Sequence, residues 1–268
     1  MTDTTSPRSA APGRRSALAG PASEWTKLRS VRSTWISLGT SLALVVFYSV
    51  VLGLSVRSLA SAGGAENGAT SALDNATVGV LYGGQFALLT LAAMTITSEY
   101  ATGSILTTLQ CQPRRGRMLM AKCAVLAPVL LVWGFVLGLA GTAVATLALG
   151  EFADAAGAAE WLTRSVAVGV YLAMAGVLVT GIGAAVRSVA GTLAVSVLVL
   201  LILPMGLQAT PIPWLAKAAE YMPGPAGMVL MGVAEFDGYA PSIAVAVLAG
   251  WAALGWWVGY SVLRLRDA

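Results

Sequence analysis

Residues 98–122 read SEYATGSILTTLQCQPRRGRMLMAK, a stretch that holds four of the 16 Lys and Arg residues of the chain. Two long apolar runs flank it, at about 78–97 and about 123–149. A helix needs roughly 20 apolar residues to cross about 30 Å of hydrocarbon, and both runs meet that length. The stretch is therefore a basic loop between two membrane-spanning helices.

Apolar runs of the same kind recur along the whole chain and predict six crossings. The composition agrees, since 57% of the residues are hydrophobic and only 10% are charged, whereas soluble domains carry about 25% charged residues. We expect an all-α polytopic membrane protein, with a disordered tail over 1–22 and one transmembrane domain over 23–268. The predicted spans lie at about 35–56, 78–97, 123–149, 166–186, 189–208 and 242–263.

The basic residues fall in alternate gaps between these runs. All but Arg57, Arg164 and Lys217 lie on the side that holds both termini and residues 98–122. Basic residues stay preferentially in the cytoplasm, so this pattern predicts cytoplasmic N- and C-termini and a cytoplasmic loop. The formal net charge of +4 indicates contact with membrane lipids rather than nucleic acid, because a basic residue beside anionic lipid gains about 1 kcal/mol.

The segment before the first span is predicted to be an amphipathic helix that lies in the membrane surface. Residues 23–35 read SEWTKLRSVRSTW, with Ser23 as a plausible N-cap. On a helical wheel the apolar side chains share a sector of about 120°, with basic side chains beside it. A plain extension of the first span is the alternative. The predicted membrane-surface anchors are Trp25, Lys27, Leu28, Arg29, Arg32 and Trp35.

The basic loop is predicted to contain a short helix over about 104–112. Ile105, Leu106 and Leu109 form an apolar patch on it, and Pro113 ends it because proline disfavours helical geometry at the preceding residue. The arginines at 114, 115 and 117 then lead back to the membrane. Such a helix is suited to docking on a partner; packing on its own protein is the open alternative.

Three further patterns concern the helix connections. The turn at Arg187-Ser188 is so short that the helices on either side must be antiparallel neighbours. The proline-rich segment 204–241 predicts two short re-entrant or interfacial helices on the outer side, over 213–222 and 226–236, broken at Pro223 and Pro225. Gly-x-x-x-Gly spacing predicts close helix packing at Gly79/Gly83, Gly134/Gly138 and Gly255/Gly259.

The sequence offers little catalytic chemistry. It has no phosphate-binding G-x-x-x-x-G-K-[ST] loop and no histidine, which excludes an ATP site of that type and His-based catalysis. No Asp, Glu, Lys or Arg lies near the middle of a predicted span, where ion-coupled carriers place such groups; Glu99 at a span edge is the nearest. Gln85, Thr90, Thr95 and Thr97 either bond helix to helix or line a substrate path.

Four segments together resemble the permease subunits of ABC-2-type ABC transporters, in particular the actinobacterial branch. They are SEWTKLRSVRSTW, the loop at 98–122, GIGAAVRSVAGTLA and YMPGPAG. The loop matches the family pattern at its opening, E-Y-x-x-G-[ST], and at its close, P-R-R-x-R. It departs from it at Ala101 and at residues 110–112. The matching positions are Glu99, Tyr100, Thr102, Gly103, Pro113, Arg114, Arg115 and Arg117.

The resemblance implies a permease without a catalytic site of its own in a bacterial plasma membrane. In that family the N-terminal amphipathic stretch is an elbow helix, and the loop carries a coupling helix that sits on a cytoplasmic ATPase subunit. That subunit binds ATP and magnesium, and a second permease, identical or different, completes the exporter. Ile105 and Leu109 would anchor the docking, and Glu99 would pair with Arg29 or Arg32. The alternative function is a membrane scaffold or sensor that recruits a cytoplasmic partner without transport.

Overall fold

A computed structural model describes residues 15–61, 71–105 and 115–265 of the chain. Six of its helices are long and apolar enough to cross a membrane, which confirms the predicted all-α polytopic class. Each is as long as its predicted span or longer. The helices are α1 Arg15–Ser30, α2 Arg32–Ser61, α3 Ala72–Ala101, α4 Arg115–Leu149, α5 Ala158–Val186, α6 Val189–Gln208, α7 Pro213–Glu220, α8 Pro223–Leu230 and α9 Pro241–Leu265.

The N-terminal helix differs from its predicted bounds at both ends. It begins at Arg15, so residues 15–22 of the predicted tail are helical. Ser23 is not an N-cap but lies inside α1, where its hydroxyl donates to the Gly20 carbonyl over 2.8 Å. The helix breaks at Val31, and Trp35, the last residue of the predicted surface helix, belongs to the membrane-spanning α2. The Trp35 indole bridges the break by donating to the Arg29 carbonyl over 3.0 Å.

Helix α5 lies at the centre of the bundle and packs closely on α4. A Cβ atom added at Gly134 of α4 would lie 2.7 Å from the Cα of Gly169 in α5. One added at Gly138 would lie 2.7 Å from the Cα of Ser165, one turn earlier in α5. Real Cβ atoms do not approach other atoms so closely, so the two backbones touch only because these positions carry no side chain. The prediction of close packing at Gly134 and Gly138 is confirmed.

Helix α9 packs on the far end of α5 in the same way. A Cβ at Gly255 would lie 2.9 Å from the Leu178 carbonyl oxygen, and one at Gly259 would lie 2.6 Å from that of Gly181. The third predicted pair, in α3, packs on α2: a Cβ at Gly83 would lie 2.6 Å from Tyr48 Cδ2, and one at Gly79 would lie 3.4 Å from the Val45 carbonyl oxygen. All three predicted pairs therefore serve contacts within the chain.

Helix α3 contains a π-helical turn over Val80–Gly84, and the first residue after it makes a buried polar contact. The Gln85 side-chain amide oxygen accepts from the Tyr171 hydroxyl of α5 over 2.8 Å, and both side chains are buried. Gln85 thus bonds helix to helix. The threonines at 90, 95 and 97 instead donate to carbonyls of their own helix.

The turn between α5 and α6 confirms that these helices are antiparallel neighbours. Arg187 ends α5 in the left-handed conformation, with φ 61°. Ser188 caps α6 through its hydroxyl, which accepts from the Gly191 amide. Two residues are therefore enough to reverse the chain.

The opposite end of the bundle holds two short helices in the proline-rich segment, as predicted, but the second spans Pro223–Leu230 rather than 226–236 and contains Pro225 instead of breaking there. Pro223 is the first residue of α8 and does not merely end α7. Proline is suited to the first turn of a helix, because the N–H that it lacks would have no partner within the helix there. Arg164 of α5 joins this region to α3, because its guanidinium contacts Asp74 Oδ1 at 3.1 Å and donates to the Met231 carbonyl. One side chain thus fixes α3, α5 and the segment after α8 together.

Candidate functional site

Four charged side chains form a compact network where α1 meets α3 and α4. Lys122 of α4 is only 1% exposed, and its ammonium lies 2.7 Å from Glu99 Oε1 and 2.9 Å from Glu24 Oε2. It also donates to the Thr95 carbonyl over 3.0 Å. Lys27 of α1 lies 2.9 Å from Glu99 Oε1 and 3.1 Å from Glu24 Oε1. Glu24, Lys27, Glu99 and Lys122, called here the four-charge network, tie three helices together.

The partners of Glu99 differ from those predicted. Arg29 and Arg32 are exposed, and two lysines take their place. Lys27 projects from α1 toward α3. Lys122 is one of the basic residues from which the cytoplasmic side was predicted. It lies on the part of α4 that faces Glu99, and it is buried. Glu99 does pair with a cation of α1, but that cation is Lys27, so the predicted pairing with Arg29 or Arg32 was wrong.

Lys27 is the accessible member of the network, with its side chain 50% exposed. Burial disfavours its charged form, but the hydrogen bonds to Glu99 and Glu24 and the negative charges of these two carboxylates together outweigh burial and raise the pKa of Lys27 above its ordinary value. Lys27 therefore remains an ammonium at neutral pH. The network then has two positive and two negative charges.

The predicted surface anchors do not share one role. Trp25 is 51% exposed, Trp35 is 60% exposed, and Arg29 and Arg32 are exposed as well. Leu28 is half-buried and packs against the bundle core instead of lying on the outside. Lys27 joins the four-charge network. α1 therefore packs on the bundle through Leu28 and Lys27, whereas its Trp25 stays exposed.

The loop after α3 begins with a fixed turn. The Thr102 amide donates to the Ser98 carbonyl over 3.0 Å, and the Thr102 hydroxyl lies 2.9 Å from that of Ser104. Gly103 has φ +70°, a conformation that glycine adopts without steric cost. The E-Y-x-x-G opening of the loop is therefore a helix end followed by a left-handed turn.

Ile105 lies inside the chain and not on its surface. It is 4% exposed and packs with Ile96, Met118 and Leu119 among the ends of α3, α4, α5 and α9. This placement is a correction to its predicted role as an anchor for docking on a partner. Ile105 instead fixes the start of the loop to the bundle. Leu109, the other predicted anchor, lies outside the described residues.

Both ends of the loop are attached to the bundle. Arg115 donates to the Leu263 carbonyl of α9. The Arg187 guanidinium lies 5.0 Å from the ring centre of Tyr100, close enough for a cation–π contact. Arg117 is exposed. The structure brings Glu99, Tyr100 and Ile105 to one end of the bundle with Arg115. Pro113, Arg114 and most of the predicted helix 104–112 lie outside the described residues.

A cavity of about 640 Å³ opens beside the four-charge network. It lies between α1, the start of α2 and the last turns of α3. Its apolar wall is formed by Leu28, Val31, Leu91 and Met94, and its polar lining includes Glu24, Lys27, Ser98 and Glu99. The cavity thus presents charged and apolar surfaces together.

The sequence indicated Glu99 but not the network around it. Glu24 and Lys27 stand at i and i+3 on α1, a spacing typical of a helix-surface ion pair. This spacing could have indicated the Glu24–Lys27 pair. Nothing in the sequence indicates that Lys122 is buried, because its neighbours are typical of a basic residue at the end of a span.

Comparison with known sequences bears on the whole site. No curated protein matches the chain. The sequence profile described as ABC-2 family transporter protein matches residues 22–207, a range that includes the four-charge network and the loop. Together with the six apolar helices, this match shows a multi-pass membrane component of a transport system. The chain belongs to the ABC-2 family of transporter proteins.

Proposed function

We propose that the chain is the permease subunit of an ATP-binding-cassette exporter in a bacterial plasma membrane. The family match over residues 22–207 is the observation that carries this proposal. ATP and magnesium bind a separate cytoplasmic subunit. A second permease, identical or different, completes the membrane part, and the substrate is lipophilic or amphipathic. Membership of the actinobacterial branch stays a prediction.

The geometry supports a role in passing movement from a partner into the bundle. The loop leaves α3 at Ala101, two residues after Glu99, and returns to α4 seven residues before Lys122, so the four-charge network joins the two helices that carry the loop. Ile105 and Arg115 fix the loop ends to four helix ends. A push on the loop is therefore transmitted to α1, α3 and α4 together.

We expect Leu109→Asp to abolish co-purification of the ATPase subunit while the permease still inserts and folds. An aspartate in the docking patch would place an unpaired carboxylate in an apolar contact, which costs a large part of the binding energy. The measurement is a pull-down of the ATPase with the tagged permease, at matched expression. Ile105→Asp is the contrasting variant: Ile105 is buried in its own chain, so it lowers the yield of folded permease. Normal recovery of the ATPase with Leu109→Asp would refute the coupling role.

The orientation has its own test. In a Cys111→Ser, Cys123→Ala background, we expect Arg117→Cys to resist an impermeant thiol reagent in intact cells, because position 117 faces the cytoplasm. Glu151→Cys, exposed at the opposite end of the bundle, is the matched control and should be labelled. Labelling of position 117 from outside would reverse the topology and remove the loop from reach of an ATPase.

Transport separates the proposal from the scaffold alternative. Vesicles that contain the permease and its ATPase should move substrate only when ATP is hydrolysed. Recruitment of a partner without ATP-dependent movement would favour the scaffold.

A further inference from the structure

The cavity beside the four-charge network has unused hydrogen-bonding capacity. An ammonium has three N–H donors. Lys122 uses all three, on Glu99, Glu24 and the Thr95 carbonyl. Within the part of the chain that the structure describes, Lys27 uses two, on Glu24 and Glu99, which leaves one donor on a half-exposed side chain.

The unused acceptor is Glu99 Oε2. Among the described residues this oxygen is buried and has no hydrogen-bond partner, although both lysines contact Oε1. A buried carboxylate oxygen without a donor is costly. Glu99 lines the cavity, as does Lys27. In the described ranges, the cavity is therefore bordered by an unused donor, on Lys27, and by a carboxylate, that of Glu99, one oxygen of which accepts no hydrogen bond.

The charges limit which occupant fits. The network sums to zero, so a head group with a net charge would remain uncompensated in a partly buried site. A zwitterion adds one charge of each sign: its anion suits the Lys27 ammonium and its cation suits Glu99. The apolar wall, with Leu28, Leu91 and Met94, suits hydrocarbon next to that head group.

The location agrees with a lipid. α1 carries an exposed tryptophan at position 25, directly after the cavity-lining Glu24, and α2 carries another at position 35, directly after the cavity-lining Thr34. Tryptophan is enriched at the depth of lipid head groups. The cavity is therefore at the depth at which a phospholipid presents its phosphate and amine.

We propose that this cavity binds a zwitterionic phospholipid whose head group carries a primary ammonium. The phosphate accepts from Lys27, the ammonium donates to Glu99 Oε2, and the start of an acyl chain lies against Leu91 and Met94. A trimethylated amine has no N–H to donate, and an anionic glycerol head group has no cation. The inference goes beyond the proposed function, because it requires a membrane location but neither the ATPase nor a particular cargo.

The test uses the purified full-length chain and an equimolar mixture of phosphatidylethanolamine, phosphatidylcholine and phosphatidylglycerol with identical acyl chains. Native mass spectrometry counts the lipids that stay bound. We expect phosphatidylethanolamine to be retained about tenfold more than phosphatidylcholine, which corresponds to about 1.4 kcal/mol. Equal retention of these two lipids, preference for phosphatidylglycerol, or no retained lipid would each overturn the proposal.

Two variants locate the binding. Met94→Trp fills the cavity and should lower phosphatidylethanolamine retention about tenfold, whereas Met120→Trp, the same change at a 55% exposed position, should leave it unchanged. Lys27→Gln removes the positive charge that faces the phosphate at a half-exposed site and should weaken both zwitterionic lipids equally. If Met94→Trp fails to fold, Lys27→Gln decides, and unchanged retention in it overturns the site. ATPase co-purification is measured separately. Lipid selectivity without a co-purifying ATPase would contradict only the proposed function. A co-purifying ATPase without lipid selectivity would contradict only the lipid site.

Discussion

Gly181→Ala is expected to cost about 3 kcal/mol or more of unfolding free energy, a large fraction of the roughly 5–15 kcal/mol by which folded proteins are ordinarily stable. A Cβ atom at Gly181 would lie 2.1 Å from the carbonyl oxygen of Gly255 and 2.3 Å from its carbonyl carbon. The atoms it meets are backbone, so no rotamer change relieves the clash. α5 and α9 would have to separate along their whole contact.

The matched control is Gly250→Ala in α9. No atom lies within 4 Å of a Cβ added at Gly250, and alanine in a helix interior is favoured over glycine by about 0.5–1 kcal/mol. The same substitution should therefore leave stability unchanged or raise it slightly. The measurement is the unfolding midpoint in detergent together with the yield of monodisperse protein. Equal midpoints for the two variants would contradict the close backbone contact.

Lys122→Met is expected to lower the unfolding free energy by about 3–5 kcal/mol. It removes a cation that Glu99 and Glu24 share and leaves both carboxylates partly buried. Glu99→Met should be similarly costly, since Lys122 would keep only Glu24 as an ionic partner. The double variant, Lys122→Met with Glu99→Met, removes one charge of each sign. Glu24 and Lys27, which lie 3.1 Å apart, should still pair in it.

A double-mutant cycle is the measurement for this pair. We expect the double variant to recover most of the loss, because replacing a whole buried ion pair by apolar side chains is often close to neutral. Lys27→Met, at the half-exposed member of the network, should cost about 1 kcal/mol or less. Losses that simply add in the double variant would show that Glu99 and Lys122 are not coupled.

The helix count and many connections could be predicted from the sequence because they depend on local properties. Hydrocarbon thickness selects apolar runs of a certain length, which is why six spans were predicted in the right places. The turn at Arg187-Ser188 leaves too few residues for anything but antiparallel neighbours. Small residues at Gly134 and Gly138 allow close approach, and the structure shows which surface they approach.

The site itself was only partly predictable. The resemblance marked Glu99, but the charges nearest to it in the predicted topology, Arg29 and Arg32, are exposed. The predicted docking residue Ile105 is buried. In both cases the outcome depends on how helix ends from distant parts of the chain meet, and no local spacing encodes that.

The amino-acid sequence by itself determined that this chain crosses a membrane six times, where it turns, and which family its loop resembles, because apolar length and short-range spacing act on neighbouring residues. Only the tertiary structure decided that Lys122 is buried between Glu24 and Glu99, and that α5 is the central helix. Those contacts join residues 23 to 98 positions apart. Helix packing brings such residues together, and the sequence around each of them does not indicate which distant residue it will contact.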